Sequence, residues 1–208
     1  QAVIRRFSVI ADDLGLAEDT MAAIEADLRL RVCADCADSL KFMDSLKAAG
    51  EDNCARLVAD YFRSLGREAA YFNPQTAGLI LTEEFGNAQV LPESYHNLAS
   101  LADYPGLVVF PGFFGYTASG EVVTFSRGGS DITGSILAAA LNAAVYENWT
   151  DVDSVYAVNP SLASNPHPIR EITYDEMREL AYAGFTVLHE EALTPAYMKG
   201  IPVNIRNT

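Results

Sequence analysis

The stretch TFSRGGSDITGSILAAALNAAVYENWTDVDSVYAVNP, residues 124–160, decides the fold of this 208-residue chain. A β-like run leads into the pair Gly128–Gly129, and a helix of small residues begins at Ser130. A second strand and an acidic loop follow, so the stretch has the order strand, helix, strand. That order is typical of a largely parallel sheet with helices packed on its faces.

Helices and strands alternate through the rest of the chain. Apolar residues at helical spacing predict three helical regions before the first strand: residues 1–30 with a break at Gly15, residues 37–48 ending at Gly50, and residues 51–65 ending at Gly66. Short apolar runs predict strands within 68–73, 78–84, 106–116, 120–127, 144–148, 185–189 and 202–207. Further helices are predicted after Pro92, from Ser130, over 173–184 and over 190–200. We therefore predict an α/β fold in a single domain that spans residues 1–208.

Two of these segments carry more specific signals. The run GLVVFPGFFGY, residues 106–116, is almost continuously apolar, as expected of one strand buried on both faces. Thr173 precedes Glu176 at the spacing of a capping box, and Gly184 follows as a helix stop. These signals predict a buried strand in the middle of the chain and a well-capped helix near its end.

The composition excludes several classes of function. Half of the residues are hydrophobic, which is enough for a packed core. The formal net charge is −14 at pH 7, whereas binding to nucleic acids or membrane surfaces requires a basic footprint. No run reaches the roughly 18 apolar residues of a membrane span, and the first residues lack the pattern of a signal peptide. We expect a cytoplasmic protein without nucleic-acid or membrane partners.

The cysteines give a weak signal. Cys33 and Cys36 have the C-x-x-C spacing of redox and zinc sites, and Cys54 stands apart. A structural zinc site needs four ligands, and the three histidines are scattered without ligand spacing. We therefore interpret the pair as ordinary thiols and predict no metal site. An odd number of cysteines suits a reducing compartment.

The glycine turn has the features of an anion site. Gly128 and Gly129 allow a positive φ or a close approach of the backbone to a ligand. Ser130 or Asp131 can cap the following helix, where free N–H groups and the helix dipole attract anions. Arg127 adds a planar fork suited to a carboxylate or a phosphate. An ordinary capped strand-to-helix turn would carry the same residues, so both interpretations stand.

A second polar loop follows the next strand. Thr150, Asp151 and Asp153 lie after that strand, where open α/β sheets often bind ligands. Their oxygen atoms suit contacts with magnesium, ribose or adenine. A polar loop stabilised by local side-chain hydrogen bonds explains the same residues. The residues alone leave this choice open.

These motifs, together with their neighbours, resemble the aspartokinases of the amino acid kinase family. The similarity rests on FSRGGSDITGSILA, residues 125–138, and YENWTDVDSVYAVNP, residues 146–160. Segments on both sides extend it: GEDNCARLVADYF, GNAQVLPESY, PGFFGYT, TYDEMRELAYAG, VLHEEAL and GIPVNIRNT. It runs continuously from about residue 50 to residue 208, whereas residues 1–50 resemble the family only as a helical region.

The resemblance implies a three-layer α/β/α sandwich with a largely parallel central sheet. It also implies that ATP, with Mg²⁺, phosphorylates the side-chain carboxylate of L-aspartate. The product, 4-phospho-L-aspartate, would feed lysine, threonine and methionine synthesis. The acceptor needs no strong base, because a carboxylate with a pKa of about 3.9 is already ionised at pH 7. Catalysis then requires alignment of two anions and screening of their repulsion.

The resemblance also implies roles for individual residues. Arg127 would clamp the α-carboxylate of aspartate, and Glu51 would pair with its α-ammonium group. Residues that would line the pocket for the substrate and the transferring phosphate are Gly128, Gly129, Ser130, Asp131 and Thr133. Residues that would hold the nucleotide are Thr150, Asp151, Asp153 and Tyr156. Arg127 and Asp131 are the residues expected to be catalytic; without the resemblance, Glu51 would only stabilise a helix start.

The sequence departs from the family pattern at several places. Family members begin with a strand and a Lys-Phe-Gly-Gly loop that holds phosphates, and none of the three lysines here precedes such a loop. Ser161 and Thr186 stand where relatives often have a basic residue, and Ser154 stands where many have glycine. The regulatory domains that usually follow are also missing. We therefore expect a catalytic-domain fragment with reduced or no activity by itself, taken from a protein that is a homo-oligomer at full length.

Two other functions stay open. A sibling kinase of the same fold would act on acetylglutamate, glutamate or a nucleoside monophosphate. A non-catalytic amino-acid-binding module would keep the binding residues without phosphoryl transfer. Glu51 and Arg127 together favour a free amino acid, because it presents both an ammonium group and a carboxylate.

Overall fold

The computed structural model of this chain describes residues 1–34, 37–150, 155–156, 168–182 and 190–208. The chain divides into two compact units, Gln1–Ser130 and Asp131–Thr208, each with a hydrophobic cluster of its own. No helix in the described ranges is long and apolar enough to cross a membrane. That residues 1–208 form a single domain stays a prediction.

Three helices form the first part of the first unit: α1 (Ala2–Asp13), α2 (Glu18–Val32) and α3 (Ser39–Ser64). Asp38 begins α3, because its carboxylate accepts hydrogen bonds from the backbone N–H groups of Leu40 and Lys41 at 3.1 and 3.3 Å. Helix α1 ends just before Gly15 and α3 just before Gly66. Both glycines have a positive φ, 66° and 73°, which confirms the predicted stops.

The predicted break at Gly50 is wrong, because α3 runs through this residue without interruption. A glycine inside a helix costs only about 1 kcal/mol relative to alanine. Helix α3 buries Ala48 and Ala49 before Gly50, and Asp52 and Asn53 after it. Packing on both sides outweighs the small cost of the glycine. The two predicted helices are therefore one helix of 26 residues.

The hydrophobic cluster of the first unit joins its three long helices. Ala11 of α1, Ile24 and Leu28 of α2, and Ala49 and Leu57 of α3 are buried in it. In α2 the two members lie four residues apart, so one face of that helix is apolar. Burial of such faces stabilises helices that would be marginal as isolated segments.

Short elements follow α3: β1 (Ala69–Tyr71), α4 (Pro74–Ala77), α5 (Glu93–Leu98), a 3₁₀ helix (Ala99–Asp103), β2 (Leu107–Val109), β3 (Phe114–Tyr116) and β4 (Val122–Thr124). Strand β1 pairs in parallel with β2, whereas β3 and β4 form an antiparallel pair. Pro92 is the N-cap residue of α5, as predicted. The strands predicted around β1 and β4 are thereby confirmed.

Two predicted strands differ from the structure. The segment 78–84 forms only isolated bridges. The apolar run 106–116 is not one buried strand but two strands, β2 and β3, with different partners. Pro111 has no N–H group to donate to a ladder, and Phe113 has a φ of 75°, which turns the chain between the two strands. A continuous apolar pattern does not reveal such a turn.

Helix α6 (Gly129–Ala140) begins at the boundary of the units. The elements that follow it are β5 (Tyr146–Thr150), β6 (Val155–Tyr156), β7 (Pro168–Ile169), α7 (Tyr174–Tyr182), α8 (Glu190–Met198) and β8 (Val203–Asn207). Strand β5 pairs in parallel with β8, and β6 pairs antiparallel with β7. The described strands of the chain thus form two parallel and two antiparallel pairs.

Thr173 and Glu176 form the predicted capping box of α7. The Glu176 carboxylate accepts hydrogen bonds from the N–H and hydroxyl groups of Thr173, both at 2.8 Å. The Glu176 N–H group donates to Thr173 Oγ1 at 3.2 Å. The predicted stop at Gly184 and the predicted strand within 185–189 lie outside the described residues.

Candidate functional site

The two glycines of the turn before α6 are required for different reasons. Gly128 has a φ of 77°, which other residues rarely adopt. A Cβ atom on Gly129 would lie 2.6 Å from Cδ2 of Phe113 and 2.9 Å from Cβ of Phe125. The Phe125 N–H group also donates to the Phe113 carbonyl at 3.0 Å. The turn therefore packs its backbone directly against two aromatic residues.

Glu51 of α3 and Ser130 meet at this turn, although 79 residues separate them. Ser130 Oγ donates a hydrogen bond to Glu51 Oε1 at 3.0 Å, and both residues are exposed. Glu51 is expected to bind the ammonium group of the substrate, and Ser130 is expected to line the same pocket. The fold of the first unit therefore brings together two of the predicted site residues.

Arg127 is exposed next to Gly128. Among the residues that the structure describes, none forms a hydrogen bond or an ion pair with its guanidinium group. An arginine without a carboxylate partner keeps its planar fork available for an anionic ligand.

An open pocket of about 530 Å³ adjoins Glu51. It is lined by Lys47, Gly50, Glu51, Cys54 and Phe113. Burial, and then the neighbouring Glu51 carboxylate, raise the pKa of the Cys54 thiol, so this thiol is protonated at neutral pH. The pocket wall therefore presents one carboxylate and one ammonium group among neutral groups.

Asp131 is held within the second unit by side chains of β5. Asn148 Nδ2 donates hydrogen bonds to Asp131 Oδ1 at 2.7 Å and to the Tyr146 hydroxyl oxygen at 2.9 Å. The Tyr146 hydroxyl donates to the Asp131 carbonyl at 3.3 Å. Burial raises the pKa of Tyr146, and the Asp131 charge adds to this effect, so the hydroxyl stays a donor. The bond from Asn148 orients the Asp131 carboxylate, and the bond from Tyr146 holds the Asp131 backbone.

The remaining predicted residues are spread along the second unit. Thr133 is buried in α6, and Thr150 is half-buried at the end of β5. Tyr156 lies in β6, opposite Pro168. Predicted or discussed residues that lie outside the described ranges are Cys36, Asp151, Asp153, Ser154, Ser161 and Thr186. The nucleotide-binding role of Thr150, Asp151, Asp153 and Tyr156 therefore stays a prediction.

Cysteine thiolates and carboxylates are side chains of this chain that could also bind a metal ion. Cys33 is exposed as a free thiol. Within the described ranges, no three His, Cys, Asp or Glu side chains are grouped so that they could hold a metal ion.

Tyr146 and Asn148 are site candidates that the sequence predictions do not include. Tyr146, Asn148 and Thr150 alternate along β5 and therefore share one face of the strand. That alternation was a usable signal, because polar residues on one strand face next to a predicted site are candidates for orienting it. Lys47 gave no comparable signal, since only the fold places it beside Phe113 in one pocket.

Comparison with known sequences gives a consistent result. The profile of the amino acid kinase family matches residues 8–207. Aspartokinase 3 of Bacillus subtilis (strain 168) is 55% identical over 208 residues, which are 100% of this chain and 46% of the relative. The aspartokinase of Geobacillus stearothermophilus is 35% identical over 170 residues, or 82% of this chain and 42% of the relative. The chain spans less than half the length of these relatives.

Comparison with solved structures agrees. E. coli aspartokinase III in complex with aspartate and ADP (R-state) has a TM-score of 0.77 at 32% identity, and the match covers 96% of this chain and 44% of that chain. Clostridium acetobutylicum aspartate kinase has a TM-score of 0.78 at 32% identity, and the match covers 99% of this chain and 44% of that chain. Uridylate kinase from Archaeoglobus fulgidus, with a TM-score of 0.51 at 18% identity over 92% of this chain and 72% of that chain, shares the fold alone. These similarities confirm the predicted α/β fold class.

Proposed function

Because this chain belongs to the amino acid kinase family, we propose that it is the catalytic domain of an aspartate kinase. The proposed reaction transfers the γ-phosphoryl group of ATP to the side-chain carboxylate of L-aspartate and yields 4-phospho-L-aspartate and ADP. The Bacillus and Geobacillus relatives are aspartokinases, and the E. coli neighbour was solved with aspartate and ADP. One observation in this chain carries the proposal: Glu51 and Ser130 meet at the turn that presents Arg127.

Glu51 and Arg127 suit the two charged ends of a free amino acid. At pH 7 the substrate carries an α-ammonium group and an α-carboxylate, so its site needs an anion and a cation. We assign the ammonium group to Glu51. We assign the α-carboxylate to Arg127, whose fork can bind it through two parallel hydrogen bonds. Ser130 Oγ, which donates to Glu51 Oε1, keeps this carboxylate oriented while the substrate enters.

The side-chain carboxylate of aspartate is the nucleophile in this proposal. It is ionised at pH 7, because its pKa is about 3.9, and the protein therefore need not remove a proton. The chain has to align this carboxylate with the γ-phosphorus atom and to stabilise charge during transfer. Gly128, Gly129 and Ser130 precede or begin α6, where backbone N–H groups and the helix dipole favour negative charge.

Asp131 is proposed to line the site of the transferring group. Its carboxylate is oriented by Asn148 and would repel a bare phosphate. Magnesium bound to the phosphates would screen this repulsion and the charge of ATP. The Asp131 carboxylate suits a magnesium ion that arrives with ATP, since Mg²⁺ is usually bound through one or two carboxylates together with substrate phosphates.

Thr150, Asp151, Asp153 and Tyr156 are proposed to hold the nucleotide. They lie at the end of β5 or soon after it along the chain. Hydroxyl and carboxylate oxygens of this kind pair with ribose hydroxyl groups and with the amino group of adenine. Support for this part of the proposal comes from the family resemblance of the loop that carries these residues.

The wider biology of the protein is proposed on the same basis. We infer that residues 1–208 form one catalytic domain, since the family profile extends across both units. The whole protein is proposed to be a cytoplasmic homo-oligomer that acts in lysine, threonine and methionine synthesis. The net charge of −14 supports the absence of nucleic-acid and membrane partners.

Hydroxylamine trapping tests the proposed reaction. The protein, at its full genetic length, is incubated with ATP, magnesium and one acceptor, and the acyl phosphate is converted to a hydroxamate. We expect hydroxamate from L-aspartate and none from L-glutamate or N-acetyl-L-glutamate. Hydroxamate from N-acetyl-L-glutamate would identify a sibling kinase instead. Calorimetric binding of aspartate without any hydroxamate would identify a non-catalytic binding module.

A further inference from the structure

Asp44 is a buried carboxylate in α3 that lies outside the residues assigned to substrate binding. Its side chain is almost fully enclosed, with the residue 1% exposed. Asp44 Oδ2 accepts hydrogen bonds from the backbone N–H groups of Gly86 at 2.7 Å and Thr124 at 2.9 Å. Lys47 Nζ lies 3.4 Å from Asp44 Oδ1. Such partners are needed, since a buried charge without them is strongly unfavourable.

The Asp44 carboxylate joins parts of the first unit that are far apart along the chain. Thr124, the last residue of β4, is 80 residues from Asp44, and Gly86 is 42 residues from it. Gly86 lies in a turn with a φ of 79°. The Ala88 N–H group donates to the Thr124 carbonyl at 3.1 Å and ties the same turn to β4. The end of β4 cannot shift along α3 without breaking its bond to Asp44.

This junction lies just before the glycine turn. Arg127 follows Thr124 by three residues, so β4 leads almost directly into the residue proposed to bind the α-carboxylate. Glu51 follows Asp44 by seven residues in α3, which is about two helical turns and the same helix face. Asp44 therefore contacts both segments that carry the substrate-binding groups: it belongs to α3, which carries Glu51, and it binds the end of β4, which leads to Arg127.

We propose that Asp44 is a positioning residue for amino-acid binding: by holding Thr124 it fixes the distance between Arg127 and Glu51. This inference rests on the proposed function, because it concerns the site assigned there to aspartate. Misplacement of a binding group by about 1 Å can cost about 100-fold in rate. Loss of the junction would therefore weaken the use of aspartate more than the use of ATP.

Asp52 provides a matched control in the same helix. It is 0% exposed, and its carboxylate binds Arg31 at 2.5 Å, Arg56 at 3.4 Å and the hydroxyl group of Tyr71. None of these partners belongs to β4 or to the glycine turn. Asp52→Asn therefore removes a buried charge from α3, as Asp44→Asn does, but leaves the hydrogen bonds from Gly86 and Thr124 to Asp44 in place.

The test compares Asp44→Asn, Asp52→Asn and the unaltered protein, each at full genetic length, by hydrogen exchange and by kinetics. In Asp44→Asn we expect amide exchange over residues 122–130 to accelerate about tenfold. We also expect the aspartate KM to rise about tenfold while the ATP KM stays within about twofold. Asp52→Asn should leave the exchange of 122–130 and the ratio of the two KM values within about twofold. If Asp44→Asn does not fold, Asp44→Glu takes its place, because it keeps the charge but moves the carboxylate one methylene group further from the backbone. Exchange over 122–130 and the aspartate KM should again rise.

The outcomes separate this inference from the proposed function. Equal changes in the two asparagine variants would overturn the inference, because Asp44 would then support only the fold. Unchanged exchange over 122–130 in Asp44→Asn would overturn it as well. If the unaltered protein forms no hydroxamate from aspartate, the proposed function fails, and the exchange comparison still decides whether Asp44 holds the end of β4.

Discussion

Asn148 and Asp131 are joined by a hydrogen bond of 2.7 Å, from the amide nitrogen of one to a carboxylate oxygen of the other. Asn148 is buried in β5, whereas Asp131 is half-buried in the first turn of α6. An acid at a helix start usually accepts hydrogen bonds from its own helix. Here the side chain of Asn148 in β5 donates to Asp131, so the direction of this carboxylate depends on β5.

Replacement of Asn148 tests whether this orientation matters for catalysis. Asn148→Ala removes the donor to both Asp131 and the Tyr146 hydroxyl, so we expect kcat to fall about tenfold. The free energy of unfolding should fall by about 1–3 kcal/mol, because buried polar groups lose their partner. Steady-state kinetics and urea denaturation measure the two effects. Glu147→Gln is the control, since the described contact of the Glu147 side chain is an exposed ion pair with Arg206 at 3.2 Å. Lost stability with a normal kcat would contradict an orienting role.

Arg127 is the residue on which the use of aspartate should depend most. Arg127→Ala should lower kcat/KM for aspartate by at least about 100-fold, while Arg127→Lys, which keeps the charge without the fork, should lose about tenfold. The melting temperature should change little, because the residue is exposed and no described residue pairs with its guanidinium group. Arg178→Ala serves as the control, since Arg178 pairs at the surface with Asp175 at 2.9 Å. Wild-type kinetics in Arg127→Ala would remove the assignment of the α-carboxylate.

Glu51→Gln should raise the aspartate KM about tenfold and leave the ATP KM unchanged, because a neutral amide pairs poorly with an ammonium group. The amide oxygen can still accept the hydrogen bond from Ser130, so the fold should persist. The same change should lower the pKa of Cys54, since the Glu51 charge helps to raise it. Faster alkylation of Cys54 at neutral pH would report that the pocket is formed as described. An unchanged aspartate KM in a variant with faster alkylation would show that Glu51 does not bind the ammonium group.

Two glycines should respond to alanine in opposite directions. Gly129→Ala places a Cβ atom 2.6 Å from Cδ2 of Phe113, so we expect a loss of about 1–3 kcal/mol in unfolding free energy. Gly50→Ala meets no atom within 4 Å and lies inside α3, so we expect a gain of about 0.5–1 kcal/mol. Thermal and urea denaturation of both variants measure this contrast. A stabilised Gly129→Ala variant would contradict the tight packing of the turn on Phe113.

The cap of α7 should make stability depend on pH in the acid range. Hydrogen bonds from the backbone and hydroxyl groups of Thr173 lower the pKa of Glu176 below its ordinary value of 4.5. Because the folded pKa is the lower one, this contribution is present above pH 4.5 and is lost as the pH falls through the folded pKa. Thr173→Ala should therefore lower the melting temperature at pH 7 and reduce its decline between pH 5 and pH 3. Parallel melting curves of the variant and the unaltered protein across this range would argue against the cap.

Local signals predicted the elements that depend on local structure. The cap of α7 and the stops at Gly15 and Gly66 were predictable, because each is decided within a few residues. The continuous helix through Gly50 was not, because burial along the whole of α3 decides it. The division of 106–116 into two strands depends on a different partner for each half, which no single run of residues reveals.

The same distinction applies to the candidate site. The turn of Arg127 to Asp131 is contiguous, so its residue types pointed to an anion site. Glu51 entered only through the family resemblance, since its contact with Ser130 spans 79 residues. Asp44 was not predictable at all, because a carboxylate in a helix gives no sign of whether it will be buried under the backbone of a distant strand.

The uninterrupted helix α3 also limits how this chain can vary in length. Its 26 residues form a rod of about 39 Å in which each residue is rotated by about 100° from the one before it. An insertion or deletion of one residue between Asp44 and Glu51 would rotate the Glu51 carboxylate about 100° around the axis of α3 relative to Asp44, while Asp44 stayed bound to the end of β4. Evolution can therefore replace side chains along α3, whereas a change of one residue in length between Asp44 and Glu51 would break their common helical phase.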